Sequence, residues 1–550
     1  MKVLIFRKAI NNQINRSIVV RVFTLIFGLS ASFLAKGQDV SFLNITETDN
    51  ILSNAYGLSV VDLDNDGYDD MYVMIKNQAN KFYHNNGDGT FTNIAVQLGI
   101  ADAGNTNAAV WADFDNDGDK DLYVGNWGQP NKFYLNLGDA GFIEIGATLG
   151  VNNSGNCRSL AVADVNRDGW LDIYVVNISQ ENAFYLSNGS GGYINHYNAS
   201  MATDNLIGMG SIFFDCDNDG DPDLYLLHDA YQANKLFINN GNGVFTNQAV
   251  QRNAAYQGEG MGVDVTDFNH DGWLDIYITN NYDGNALLVN DGDGTFTSIG
   301  VAAGVNNIGM GWGVSWFDYN LDGEQDLYMA NNYVFSPLIN VLYHNNGDST
   351  FTQVGQGSAL DSPYAGAGIA ISDFNLDGRE DIAIANPISA TSPGVEVLLN
   401  QSDAGNWLAF TFEGVLSNRD AFGTRVTVWS EGFVQTDEWT GPSGYSQQNS
   451  SRMTFGLGER QVADSVHIRW PNGLEETYAN LSANERYHFI EGNSAIGNGD
   501  VNQDLAGNVQ DLLLFLANFG CTGDCTADIN NDGIVNSQDL LLVLMGVFPD

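Results

Sequence analysis

The sequence predicts a mainly β fold: a seven-bladed β-propeller closed by an N-terminal strand, then a small β domain, then a short helical module. Three observations predict it. The pattern Asp-x-Asp/Asn-x-Asp-Gly-x-x-Asp recurs from Asp62, Asp113, Asp164, Asp215, Asp267, Asp318 and Asp373, at intervals of 51, 51, 51, 52, 51 and 55 residues. A period near 50 residues built of strand-like segments reads as one propeller blade per repeat. Each repeat also has the same internal order: a Gly-rich apolar segment such as Gly260-Met261-Gly262-Val263, the acidic loop, an apolar strand such as Ile276-Tyr277-Ile278, a third strand such as Lys81-Phe82-Tyr83, and a turn into a fourth strand. Finally, an aromatic marks every fourth strand. Phe91, Phe142, Tyr193, Phe245, Phe296 and Phe351 precede the next loop by 22 residues, and Phe42 precedes Asp62 by 20. Phe42 thus belongs to a fourth strand with no blade before it, and it is expected to complete blade seven, leaving no inter-blade gap.

Taken in chain order, residues 1–37 read as a secretory signal. Basic residues precede an apolar run, Val22 to Ala35, followed by Ala35-Lys36-Gly37 ahead of Gln38. The run is about 14 residues, too short to span a bilayer comfortably. A secreted/extracellular or cell-surface-associated location is therefore expected, with no transmembrane segment after signal removal. The formal charge is −46, and residues 1–37 hold six basic residues and no acids, so the remainder carries −46 − 6 = −52. Such a surface excludes nucleic acid and anionic membrane as partners, since both require positive charge. It fits a chain neutralised by bound cations. Export permits disulfides. Cys521 and Cys525 bracket a short turn that suits a local bridge, while pairing of Cys157 with Cys216 stays open.

Residues 38–401 form the predicted propeller, and its loops carry metal-ligand spacing. Positions 1, 3, 5 and 9 offer carboxylates or an amide, position 7 a backbone carbonyl, and Gly at position 6 lets the chain turn sharply. The candidate ligands are Asp62, Asp64, Asp66, Tyr68 and Asp70 in the first loop, and Asp113, Asp115, Asp117, Asp119 and Asp121 in the second. The third offers Asp164, Asn166, Asp168, Trp170 and Asp172; the fourth, Asp215, Asp217, Asp219, Asp221 and Asp223. The last three offer Asp267, Asn269, Asp271, Trp273 and Asp275; Asp318, Asn320, Asp322, Glu324 and Asp326; and Asp373, Asn375, Asp377, Arg379 and Asp381. Hard oxygen donors with no His or Cys point to calcium, about seven ions in the propeller. Seven equivalent sites also mark a structural device, whereas an active site is usually single.

These repeats resemble the FG-GAP/VCBS repeats of integrin-α-type propellers, over roughly residues 41–400, on the loops and the period. The resemblance implies calcium in the hairpin between the first two strands of each blade. Residues 402–492 change character, to short alternating strands. Gly423-Thr424-Arg425-Val426, Gly441-Pro442-Ser443-Gly444-Tyr445-Ser446-Gln447, Phe455-Gly456-Leu457-Gly458 and Trp470-Pro471-Asn472-Gly473 resemble the ASPIC/UnbV module of the cartilage acidic protein family. That resemblance implies a small β domain and no known chemistry. Its Tyr, Gln and Trp residues are candidates for a sugar site, against the alternative of turns and packing.

Residues 493–550 hold two acidic loops of another kind. One offers Asp500, Asn502, Asp504, Asn508 and Asp511; the other offers Asp528, Asn530, Asp532, Ile534, Asn536 and Asp539. Each feeds an apolar helical run, and position 12 is Asp. The tandem resembles a type I dockerin, which implies up to two further calcium ions and a cohesin-like or cell-surface protein partner through residues 499–550. Leu505 stands where the first loop would carry Gly, a departure that weakens its case as a cation site.

On the face opposite the acidic loops, the segments joining second and third strands pair amides with aromatic rings. Trp127, Gln129, Tyr231, Tyr282 and Tyr333 are the candidates there for a glycan or extracellular protein ligand. No nucleophile elbow, zinc motif or phosphate loop occurs, and the seven His are scattered. The favoured reading is a secreted calcium-binding, non-catalytic recognition or adhesion protein with the C-terminal module as tether. The alternative is a carbohydrate-active enzyme or accessory subunit of a polysaccharide-degrading assembly.

Overall fold

The computed structural model describes residues 40–45, 55–281, 283–332, 339–362, 364–387, 394–442 and 444–492, with Leu516 and Phe519 beyond them. The predicted signal and C-terminal loops therefore lie outside the described residues, as do Cys521, Cys525, Tyr282 and Tyr333.

The fold is mainly β, with repeated four-stranded antiparallel sheets and a few helices of four residues or fewer. In sheet one, Ala55–Val61 pairs with Asp70–Ile75, that strand with Lys81–Asn85, and that with Phe91–Asn93. Sheets two to six repeat the scheme from Thr106, Cys157, Gly208, Gly260 and Gly311. The seventh sheet takes three strands, Ile369–Ser372, Asp381–Ala385 and Val395–Asn400, from the last repeat. Its fourth is the N-terminal Phe42–Asn44, with Phe42 opposite Asn400.

Second strands are buried on both faces, as in Asp121–Asn126 and Asp275–Asn280, because each sheet is packed between two others. In sheets one to five each contributes a Tyr that reaches the segment after its own fourth strand. Tyr72 Oη donates to Ile100 O, Tyr174 Oη to Ala202 O and Tyr277 Oη to Val305 O. Apolar clusters then fuse successive sheets, such as sheets five and six around Phe268, Trp316 and Met329. Sheets seven and one share a cluster of the same kind around Val60, Val73, Phe374 and Val397. Asn85 Nδ2 donates across that seam to Phe374 O, as Asn400 Nδ2 does to Tyr319 O one seam earlier. The sheets thus adjoin in a cycle.

Residues 402–492 form two further sheets. Asn406–Glu413 pairs antiparallel with Met453–Gly458 and parallel with Glu485–Ile490. The other sheet is ordered Phe433–Trp439, Thr424–Ser430, Val462–Arg469, Glu475–Ser482. Phe410, Phe412, Phe455, Phe489 and Trp470 form the core between them.

One segment of this second module leaves it altogether. Gln447–Gln448 pairs parallel with the first strand of sheet one. Its neighbours run down the middle of the cycle: Gln448 exchanges two hydrogen bonds with Trp111 of sheet two, Gln447 Nε2 donates to Val314 O of sheet six, and Ser450 N–H to Ile371 O of sheet seven. Tyr445 sits fully buried among Met209, Met261 and Ala367. The glycines of the inner strands make room for this plug. A Cβ on Gly57 would lie 2.3 Å from Ser446 O, and one on Gly368 2.6 Å from the same atom. Tyr445 and Gln447 of this turn are therefore internal fillers rather than a sugar site, and Trp439 and Trp470 spend their indole N–H groups on Asp420 O and Glu476.

Candidate cation loops and the opposite mouth

All seven acidic loops share one internal geometry. The N–H of Gly at position 6 donates to the carboxylate of position 1: Gly67 to Asp62, Gly118 to Asp113, Gly169 to Asp164, Gly220 to Asp215, Gly272 to Asp267, Gly323 to Asp318 and Gly378 to Asp373, all at 2.7–2.9 Å. Position 5 accepts from the N–H of position 7, as Asp168 does from Trp170 and Asp271 from Trp273. Position 9 anchors the loop to the third strand, with Asp70 Oδ1 accepting from Asn85 N–H and Asp275 Oδ1 from Asn290 N–H. Positions 4 and 6 both adopt left-handed φ. Position 4 is Asn in three loops, but Arg167, His270, Leu321 and Leu376 take it too, so the loop imposes this conformation whatever the residue. Position 2 turns inward as expected: Phe114, Val165, Cys216, Phe268, Tyr319 and Phe374 are buried.

These carboxylates are crowded and partly out of water. Burial, reinforced by neighbouring acids, pushes Asp62, Asp113 and Asp267 up to about 6, and Asp164 up to about 7. Position 9 is affected more: Asp121 is pushed up to about 8 by burial, and Asp172, Asp223 and Asp326 are raised well above the ordinary range. Ligand atoms of Asp113, Asp115 and Asp117 all lie within 4.8 Å of one another, and so do those of Asp215, Asp217 and Asp219. Several buried oxygens in the loops make no hydrogen bond among the described residues, including those of Asp62 Oδ1, Asp115 Oδ1, Asp215 Oδ1, Asp217 Oδ1 and Asn320 Oδ1. Unsatisfied oxygens among crowded acids are the kind of donor set a hard divalent cation takes.

The loops are not equivalent in their surroundings, a difference the repeat conceals. The second module spreads over all of them. Arg469 bonds Asp215, and Arg486 bonds Asp373. Arg452 and Arg425 donate to the carbonyls of Gly67 and Gly272. Asp420 accepts from Asp113 N–H and pairs with Lys120; Gly405 N–H reaches Asn320 O; and Leu416 O closes on Gly169. Loop four is the most heavily countered: Arg252 pairs with Asp217 at 2.7 Å and Arg167 with Asp221 at 2.8 Å, in addition to Arg469. The ligand side chains of loops three and five make no ion pair among the described residues. Sequence reasoning missed these arginines, because nothing in a one-dimensional pattern tells which residues of a following domain fold back onto a repeat.

The two cysteines left open, Cys157 and Cys216, are free buried thiols, with Cys157 pushed up to about 12 by burial.

At the opposite end of the cycle, the chain leaving the second strand of sheets one, two, three and five bridges to the segment entering the next sheet, as Lys76 does with Asn105 and Trp127 with Asn156. Trp127 lines a cavity there of about 450 Å³. Gln129 is a brace, its Oε1 accepting Asn105 N–H at 3.2 Å. Tyr231 stands on the rim, 57% exposed, its hydroxyl held by Asp283, which raises its pKa. Lys76, Arg158 and Trp312, which share the cavity, were not anticipated.

A family model for FG-GAP-like repeats matches six overlapping spans, 62–124, 113–175, 164–226, 215–278, 267–329 and 318–384, and a model for ASPIC and UnbV matches 414–496. The repeats cover more than half of the chain, which therefore belongs to the FG-GAP-like repeat family. Among curated proteins, it is 30% identical to human cartilage acidic protein 1 over 80% of this chain, and 29% identical to the mouse protein over 76%. It spans 63% and 62% of those relatives' own lengths. A solved structure, BBS1N in complex with ARL6DN soaked with mercury, overlays 65% of this chain and 96% of its own at 11% identity and a TM-score of 0.43. Among the described residues, no helix is long and apolar enough to cross a membrane.

Proposed function

We propose that the chain is an extracellular, calcium-loaded recognition or adhesion protein whose cycle of sheets is a seven-bladed β-propeller, latched by Phe42–Asn44. The observation that carries this reading is the loop set. Seven oxygen cages share one geometry, and their buried carboxylates have no internal means of neutralising all their charge. In each cage, positions 1, 3, 5 and 9 would hold the ion through side chains, and position 7 through its carbonyl. The bound ion would supply charge compensation and cross-linking of the loop. Seven repeats of one loop suit a structural scaffold, with recognition assigned to the opposite mouth. The extracellular placement is supported by the relatives' naming after cartilage and by the signal-like residues 1–37. A dockerin-like tether at 493–550 and a cohesin-like or cell-surface partner complete the proposal.

The direct test is metal analysis of the purified protein after exhaustive dialysis against calcium-free buffer, followed by calorimetric titration with calcium. A propeller truncated after the second module should take up about seven ions, since each loop offers one cage. Fewer than three, or equal preference for zinc, would overturn the assignment.

A further inference from the structure

Six residues before each loop's first Asp, the inner strand presents a side chain to the centre of the cycle. Most repeats place a neutral residue there, among them Met209, Met261 and Trp312; sheet three places Arg158. Arg158 is only 7% exposed, and its guanidinium lies 4.6 Å from the ring centre of Tyr445 and 5.6 Å from that of Trp312. It forms no ion pair among the described residues, and its Nε makes no hydrogen bond. Lys76 lines the same cavity, its ammonium 3.3 Å from the ring centre of Tyr56, and it too has no carboxylate partner among the described residues. Burial, with Arg158's charge behind it, pushes Lys76 down to about 7.

The pair is anomalous in this chain, where 67 acids outnumber 21 basic residues. On the other face Arg469, Arg486 and Arg252 find carboxylates, while Arg460, only half-buried, lies over the Phe433 ring with no ion pair among the described residues. Keeping a guanidinium nine-tenths buried without one is costly unless something anionic completes it. The wall's one acid, Asp229, uses Oδ1 on Ala230 N–H and pairs with neither cation. Apart from Asn105, the remaining wall is aromatic and aliphatic, with Trp127 and Trp312 as flat surfaces and Trp312 Nε1 unbonded. At about 450 Å³ the cavity falls in the range of small-molecule sites, roughly 300–1,000 Å³.

We propose that this mouth binds a small organic anion, with one carboxylate held between Arg158 and Lys76 and a ring-sized body against Trp127 and Trp312. The inference deepens the recognition reading by naming a ligand class and its place, and it does not depend on calcium in the loops.

The test is calorimetric and tryptophan-fluorescence titration of the full chain, in calcium, with glucuronate and with benzoate, each beside its neutral counterpart, glucose and benzyl alcohol. At least one carboxylate should saturate a single site below about 10 mM, roughly tenfold or more tighter than its neutral counterpart. Arg158→Gln should erase that preference and Lys76→Gln should weaken it, with melting temperature and bound calcium measured alongside. If Arg158→Gln fails to fold, Lys76→Gln, on a partly exposed residue, decides alone. The proposal is overturned if neither acid saturates, if neutral and acidic probes bind alike, or if folded variants keep the preference. Loss of calcium binding with anion binding intact would sink the cation reading alone.

Discussion

The two ends of the cycle are built on opposite logics. At the acidic end, the same loop is made seven times, and a second module lays arginines across it. At the other end, the repeat is broken: Arg158, Lys76 and Trp127 have no counterparts of the same type in neighbouring sheets. Repetition marks what holds the molecule together, and departure from it marks what is particular to this chain. The plug separates the two ends, with Tyr445 forming the floor beneath Arg158.

The strongest way to break this contrast is to strip the acidic end of cations. Chelator should lower the melting temperature by more than about 10 °C, since each site saturated at 100 times its Kd adds roughly 2.7 kcal/mol. A scan unchanged by chelator would refute the structural role of the loops. The pH dependence carries a sign. In chelator, Asp62, Asp164 and Asp121 have folded pKa values of about 6, 7 and 8, above those of the unfolded chain. Their contribution is then fully present below about pH 4 and is lost as pH rises toward 8. With calcium the trend should reverse, because binding displaces those protons. Melting scans from pH 5 to 8 with and without chelator check both slopes.

A finer cut compares two loops. In chelator, Asp164→Asn should stabilise slightly, by relieving repulsion in a loop whose ligand carboxylates pair with no cation among the described residues. Asp215→Asn should destabilise by about 1–3 kcal/mol, because Arg469 loses its 2.5 Å partner. Equal effects would show that the module's arginines do not differentiate the loops. Denaturant titration reads the difference.

Between the two ends, Gly57→Ala should cost about 1–3 kcal/mol through the clash with Ser446. It should also speed proteolysis within 441–450, readable by mass spectrometry of limited digests; an unaltered digest would mean the plug adjusts freely. The smallest effect is expected at the mouth's rim, where Tyr231→Ala should change stability by no more than about 0.5 kcal/mol and leave bound calcium unchanged. A larger loss would show that the rim, too, is structural.

The fold was legible where the sequence repeats. The loop interval set the sheet count, the aromatic of each fourth strand set its position, and Phe42 foretold the pairing with Val395–Asn400. The burial of position 2 followed from its apolar character alone. The destination of Gly441 to Gln448 was not legible, because its partners lie in the inner strands of sheets made of other repeats. For the same reason, the brace that Gln129 Oε1 gives the Asn105 N–H was not foreseen. One signal was available at the mouth: aligning the repeats on their first Asp shows a lone Arg158 among neutral residues, in a chain poor in basic residues.

The pairings that complete the molecule join distant parts of the chain: Ser41 N–H meets Ser402 361 residues away, and Trp111 meets Gln448 across 337. On a ribosome adding about 5–20 residues per second, sheets one to six can form while the first strand still lacks its partner and the centre still lacks its filler. For tens of seconds, the nascent chain is an open horseshoe of sheets with an unpaired strand edge. Under the proposed calcium reading, the loops stand open to the ion until the second module closes over them, so the order of assembly places cation entry before the final latch.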